Sequence, residues 1–241
     1  MQKYQQGIDL IEQKNYQQAT EYFFPYAQQG CAEAQYHLAT AYYKLTNTDK
    51  NKLWFEWFKK SAQQNYLPAV EWLCKTRWFI NDPSMVDYAN QGIALGSSYC
   101  KYLLAHDYVY GKCGLKQDIQ KGLELYHQAA EQGEWIAYSN LSEFYAKGEF
   151  VAKNDQKALD YMQKSVEAGH NGGALTIARW YFTGTNVKKD KTLAYEWLKK
   201  AVELGAFYAQ QTLDTWQNWC DGDTWPETPI SEILNHVKID F

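Results

Sequence analysis

The stretch ALTIARWYFTGTNVKKDKTLAYEWLKKAVELG, residues 174–205, holds two amphipathic segments joined by a loop that contains a glycine. In the second segment Leu193, Ala194, Trp197, Leu198, Ala201 and Val202 fall on one stripe at helical spacing. Asp190 stands where an N-cap side chain accepts from unpaired backbone N–H groups, and Gly205 stands where a helix ends in a left-handed turn. Two helices of this size cannot bury an apolar face by themselves, so neighbours must stack on them.

The rest of the chain supplies those neighbours. Residues that close a second helix recur at Gly30, Asn65, Gly96, Gly133, Gly169 and Gly205, separated by 35, 31, 37, 36 and 36 residues. Four residues after each closure stands a small residue: Ala34, Ala69, Cys100, Ala137, Gly173 and Ala209. Eight residues after it stands an aliphatic one: Leu38, Leu73, Leu104, Leu141, Ile177 and Leu213. Twelve residues after it, Tyr42, Tyr108, Tyr145 and Tyr181 keep a tyrosine, while Arg77 and Gln217 break the series. Eight residues before each closure stand Tyr22, Trp57, Tyr88, Leu125, Tyr161 and Trp197. A small residue lets two helices approach closely. The aliphatic and tyrosine positions, one turn apart, share a face and fill the space between layers. Asp118, Asn154 or Asp155, and Asp190 open the following helices as caps.

This pattern resembles the Sel-like repeat family, a relative of the tetratricopeptide repeat: small-xxx-Leu-small-xx-Tyr, a glycine loop, Asp, then Ala-xx-Trp and a closing Gly. The resemblance implies an all-α, right-handed α/α solenoid of about six helix-turn-helix units, each of 31–37 residues. The units are expected at about 1–30, 31–65, 66–96, 97–133, 134–169 and 170–205, with a partial one at 206–218. The first looks more like a plain tetratricopeptide unit. The third lacks both tyrosine and glycine loop, and its second helix is expected to start at Asp82-Pro83, with proline at the first helical position. Residues 219–241 break the period, and Ile230 to Val237 are expected to form a short capping helix.

Composition narrows the function. A net charge of −4 and a pI near 5.8 argue against nucleic acid as a partner. No apolar run approaches the length of a membrane span, and the polar start MQKYQQGIDLIEQ shows no signal peptide. The expected location is therefore the cytoplasm, or the periplasm if a leader was removed. Cys31, Cys74, Cys100, Cys113 and Cys220 show no CxxC spacing, and Cys74 and Cys100 take small-residue core positions, so a reducing compartment is favoured. His37, His106, His127, His170 and His236 fall in different units without metal-ligand spacing. No phosphate loop, nucleophile elbow or HExxH is present, so neither enzyme activity nor a cofactor is expected.

The 40 aromatic residues (20 Tyr, 10 Trp, 10 Phe) exceed what the repeat core uses. In solenoids of this kind the first helices line the concave side, and the positions left for a groove are three, six, ten and thirteen after each closure. There stand Tyr36, Tyr43, Trp78, Tyr99, Tyr102, His106, Arg179, Phe182 and Tyr208, the candidate partner-binding residues. The resemblance therefore implies a non-enzymatic adaptor that clasps a peptide or protein, itself a monomer or weak dimer. Relatives also include immunity proteins that block secreted toxins, and a small acidic module of this kind suits that role as the alternative.

Overall fold

The computed structural model describes residues 4–46, 53–222 and 224–226. Among these residues it contains fourteen helices and no strand. They are α1 (Gln5–Glu12), α2 (Tyr16–Gln28), α3 (Ala32–Thr46), α4 (Leu53–Gln63), α5 (Leu67–Phe79), α6 (Met85–Ala94) and α7 (Ser98–Tyr110). There follow α8 (Ile119–Glu131), α9 (Trp135–Lys147), α10 (Asp155–Glu167), α11 (Asn171–Thr183), α12 (Lys191–Glu203), α13 (Ala209–Asp214) and α14 (Trp216–Trp219). The chain divides into two compact units, residues 1–129 and 130–241. The first stacks α1/α2, α3/α4, α5/α6 and α7 with α8, and the second stacks α9/α10, α11/α12 and α13/α14. The repeated α/α architecture expected from the sequence is the one observed.

Each recurring residue type has its physical reason in the structure. The closures Gly30, Gly96, Gly133, Gly169 and Gly205 all have φ between +68° and +105°, where a Cβ would be strained. Asn65 takes the same turn at φ 59°, as asparagine tolerates better than most residues. The caps form as expected. Asp190 Oδ1 accepts from the backbone N–H groups of Thr192 and Leu193, Asn154 Oδ1 from that of Lys157, and Asp118 Oδ1 from that of Lys121. The small residues Ala34, Ala69, Cys100, Ala137 and Ala209 are fully enclosed, as are Leu38, Leu73, Leu141 and Ile177. Serine hydroxyls join neighbouring helices where an alanine methyl could not. Ser61 Oγ donates to the Ala32 carbonyl at 2.6 Å, and Ser165 Oγ to that of Trp135 at 2.9 Å.

In the first unit one core gathers Tyr4, Phe23, Ala27, Ala34 and Leu38, and another gathers Trp54, Phe58, Ala62, Ala69, Val70 and Leu73. In the second unit the core runs from Leu159 and Met162 through Ile177, Phe182 and Leu198 to Trp216 and Trp225.

Two boundaries differ from expectation. Proline does not open α6. Pro83 lies in the preceding turn, where Asp82 Oδ1 accepts the Ser84 N–H at 2.9 Å, and the helix begins at Met85. The Asp82 side chain organises that turn and postpones the helix by two residues. The period also ends differently. After the short α13 and α14 the chain turns back, and Lys191 Nζ donates to the carbonyls of Cys220 (2.6 Å), Gly222 (2.8 Å) and Asp221 (3.3 Å). The capping helix expected at Ile230–Val237 lies outside the described residues.

Close approach makes Gly122 on α8 a sensitive position. A Cβ there would stand 2.4 Å from Val109 Cγ2 and 2.9 Å from the Ala105 carbonyl oxygen, so backbone would have to move. Gly122→Ala should therefore destabilise the protein by about 1–3 kcal/mol in urea denaturation, although alanine is the better helix former by about 1 kcal/mol. A gain in stability would show that α7 and α8 are not this close.

Candidate functional site

The first helices of the two units carry the candidate residues, and burial sorts them. In the first unit Tyr36 is half-buried between Phe58 (5.6 Å between ring centroids) and Tyr66 (5.5 Å), and burial raises its hydroxyl pKa. Tyr43 packs edge-on to Trp54 and Trp72 at 5.3 and 5.6 Å. Tyr102 is only 9% exposed and lies against Tyr126, and Tyr99 beside it is half-buried. In the second unit Phe182 is 0% exposed beneath Trp216 and Trp225, at 5.8 and 5.6 Å.

Phe182 is therefore no groove residue, because the returning tail covers it, and Tyr102 is largely removed from the surface as well. The reason is geometric. Positions six and thirteen after a closure are two turns apart on the side that meets the adjacent helices; there Tyr102 and Phe182 are buried, while Tyr36, Tyr43 and Trp78 stay half-buried. Tyr208 is not helical; it precedes α13 at φ 63° with its ring 4.1 Å from that of Phe207. Arg179 is exposed on α11.

The face that does reach solvent runs through positions ten and fourteen. In the first unit it carries Lys75 and Phe79 on α5, and His106 and Tyr110 on α7. Phe79 is 54% exposed, the following Ile80 62% and Tyr110 40%. Four rings form one row, Phe79–Trp78–His106–Tyr110, with successive centroids 5.3, 5.0 and 4.6 Å apart. Phe79, Ile80 and Tyr110 are not among the residues expected from the sequence. The available signal was two aromatics at the fourteenth position, one turn beyond Lys75 and His106.

The row is held from beneath. The Asp107 carboxylate is completely buried; its Oδ1 accepts from Trp78 Nε1 at 2.8 Å and lies 3.4 Å from His106 Nδ1. Among the described residues no N–H or O–H group donates to its Oδ2. Cys113 lies against the same carboxylate, and burial together with Asp107 pushes its thiol pKa up to about 12. A hydrogen bond with Cys100, together with burial, raises that of Cys74 as well. Thiols held neutral in this way are poor nucleophiles. Among the described residues no group of three His, Cys, Asp or Glu side chains could hold a metal ion.

In the second unit α9 and α11 border a cavity of about 450 Å³ lined by Ser139, Glu143, Lys147, Thr176, Trp180 and Asn186 among others. Glu143 and Lys147 form an ion pair at its edge. His170, also at its wall, stacks on Trp135 at 4.5 Å and hydrogen-bonds Ser165 Oγ at 3.1 Å.

A Sel1 repeat family model matches residues 4–31, 32–66, 98–134, 135–170 and 176–205. The chain belongs to the Sel1 repeat family. The match takes in the first unit, which the sequence pattern alone likened to a tetratricopeptide unit, and passes over the irregular third. Sel1 repeat proteins are generally protein-interaction scaffolds rather than catalysts.

Comparison with curated protein sequences finds no match. Among solved structures, a Sel1 repeat protein of Oxalobacter formigenes is 22% identical with a TM-score of 0.68, over 95% of this chain and 93% of that one. A protective antigen of uropathogenic Escherichia coli displaying an SLR fold is 22% identical with a TM-score of 0.65. That likeness covers 86% of this chain but only 46% of the longer antigen. An immunity protein of Pseudomonas aeruginosa is 20% identical with a TM-score of 0.56, over 79% of this chain and 74% of that one. At these identities the likeness is one of fold. No described helix is long and apolar enough to cross a membrane.

Two outcomes follow from this geometry. Trp78→Phe keeps the ring but takes the indole donor from a buried carboxylate, so it should cost about 1–3 kcal/mol in urea denaturation. Tyr110→Ala, at the solvent end of the row, should stay within about 0.5 kcal/mol of wild type. Equal effects would contradict the assignment of Asp107 as the anchor.

Burial also lowers the pKa values of His37 and His170 below the ordinary 6.5. The unfolded chain therefore takes up these protons first. The stability contribution is complete above pH about 6.5 and is lost as pH falls from there towards the lower folded values. Melting temperature should drop between pH 7.5 and 5.5, and less so in His37→Gln/His170→Gln; an unchanged drop would exclude these two histidines as its cause.

Proposed function

We propose that this protein is a non-enzymatic interaction scaffold that binds a peptide or protein partner on its first-helix faces. The observation that carries the reading is the ring row of the first unit. Large apolar side chains stand in solvent there on a rigid support, with Trp78 fixed by a buried acceptor. Exposed, pre-positioned aromatics are what interface hot spots are built from. Phe79, Tyr110, Trp78 and His106 form the centre, with Tyr99 on α7 and Tyr36 and Tyr43 on α3 as flanks. In the second unit Arg179 and Tyr208 are the candidates. The net charge of −4 supports a protein rather than a nucleic acid. Free, fully enclosed thiols at Cys74 and Cys100 support a reducing compartment such as the cytoplasm.

A second reading, inhibitor or immunity protein against a bacterial toxin, draws on the fold shared with the Pseudomonas aeruginosa immunity protein. Co-expression with a toxin encoded by a neighbouring gene would test it, with rescue of growth as the favourable result.

The scaffold reading is tested by capture from the source lysate with the intact protein and with Phe79→Ala/Tyr110→Ala. The double variant should keep its circular dichroism spectrum and lose the captured protein by roughly 30-fold, as expected of paired hot-spot residues. Undiminished capture would move the binding surface elsewhere.

A further inference from the structure

The ring row is bordered by charge of one sign. Lys75 Nζ lies 6.0 Å from the centroid of the Phe79 ring, and Lys112 Nζ lies 5.8 Å from that of Tyr110. Neither ammonium forms an ion pair with a described carboxylate. The acids of this face are already engaged. Asp82 pairs with Arg77 at 3.1 Å, Glu71 accepts from Ser97 Oγ at 2.5 Å, and Asp107 is sealed beneath Trp78. In an acidic chain, this is an apolar patch edged by two unpaired cations. Both lysines are exposed, and each ammonium faces its ring at cation–π range, so the two cations stand beside the exposed rings of Phe79 and Tyr110.

Resting on the scaffold reading above, we propose that this face receives a segment of another protein in which an aromatic or aliphatic anchor is flanked by carboxylates. The anchor covers Phe79, Ile80 and Tyr110. The carboxylates meet Lys75 and Lys112, which set orientation and select against basic segments. Trp78 and His106, fixed over Asp107, form the floor. Two cations are too few for a phosphate backbone to bind tightly, since each neutralised phosphate contributes separately to affinity.

The test uses the full-length protein on an array of synthetic 12-residue peptides. Each carries Phe, Trp, Leu or Ala at its centre, flanked by Glu/Asp, Gln/Asn or Lys. The wild type should retain acidic-flanked peptides with an apolar centre about tenfold over their Gln/Asn and Lys counterparts. Phe79→Ala/Tyr110→Ala should lose them. Lys75→Glu/Lys112→Glu, with an unchanged circular dichroism spectrum, should shift the preference to Lys-flanked peptides.

A preference of the wild type for neutral or basic flanks overturns the proposal, as does retention of no peptide. Retention of a 20-nucleotide oligo(dT) in place of peptides would reassign the face to single-stranded nucleic acid. Self-association in sedimentation analysis that is lost in Phe79→Ala/Tyr110→Ala would reassign it to a second copy of the chain. Acidic peptides retained equally by both variants would leave the scaffold function standing and remove this face. If the wild type retains no peptide while lysate capture still requires Phe79 and Tyr110, only the acidic class falls.

Discussion

Everything in this protein depends on how closely the two helices of a repeat approach each other. Ala34, Ala69, Cys100, Ala137 and Ala209 are all without solvent contact, and each allows a backbone to pass where a larger side chain would hold it off. The approach is useful only if the next helix arrives in register. A left-handed residue at each closure secures that, from Gly30 to Gly205, with Asn65 standing in once. Packing density does the rest, since displaced helices would open voids along Leu38, Leu73, Leu141 and Ile177. The scaffold is therefore specified by small residues at fixed intervals and by a handful of backbone angles.

The same constraint explains what the sequence made legible. Helix closures, caps and core positions follow from local chemistry, and Asp190, Asn154, Gly133 and Leu141 do in the structure what their types suggest. The candidate groove was less legible because it depends on the direction in which neighbouring helices cross. Periodicity places Tyr102 and Phe182 on a first helix but does not say whether that side meets solvent or protein. For Tyr102 the answer is the ring of Tyr126; for Phe182 it is a tail whose sequence has no repeat signature at all. Pro83 misleads for a similar reason. Proline favours a helix start, yet the hydrogen bond that Asp82 Oδ1 accepts from the Ser84 N–H holds the turn open for two more residues.

Function enters where the repeat leaves residues over. The core takes the small and aliphatic positions in every unit and a tyrosine in four of six, while the tenth and fourteenth positions face solvent and vary. In the first unit they carry Lys75, Phe79, His106 and Tyr110. In the second they carry Glu143, Lys147, Arg179 and Thr183, of which Glu143 and Lys147 border the cavity. One scaffold thus presents an apolar, lysine-edged face and a charged, hydroxyl-rich one. The buried Asp107 is a cost the core alone would not require, and its hydrogen bond to Trp78 keeps a surface row rigid.

The central claim is that binding uses the first-helix face of the first unit. Carbene footprinting of the full-length protein, alone and with the protein it captures, reads this directly by mass spectrometry. Labelling should fall over residues 75–80 and 106–112 on binding while α4 and α12 stay unchanged. Protection confined to the second helices, with 75–80 and 106–112 labelled as before, would contradict the account.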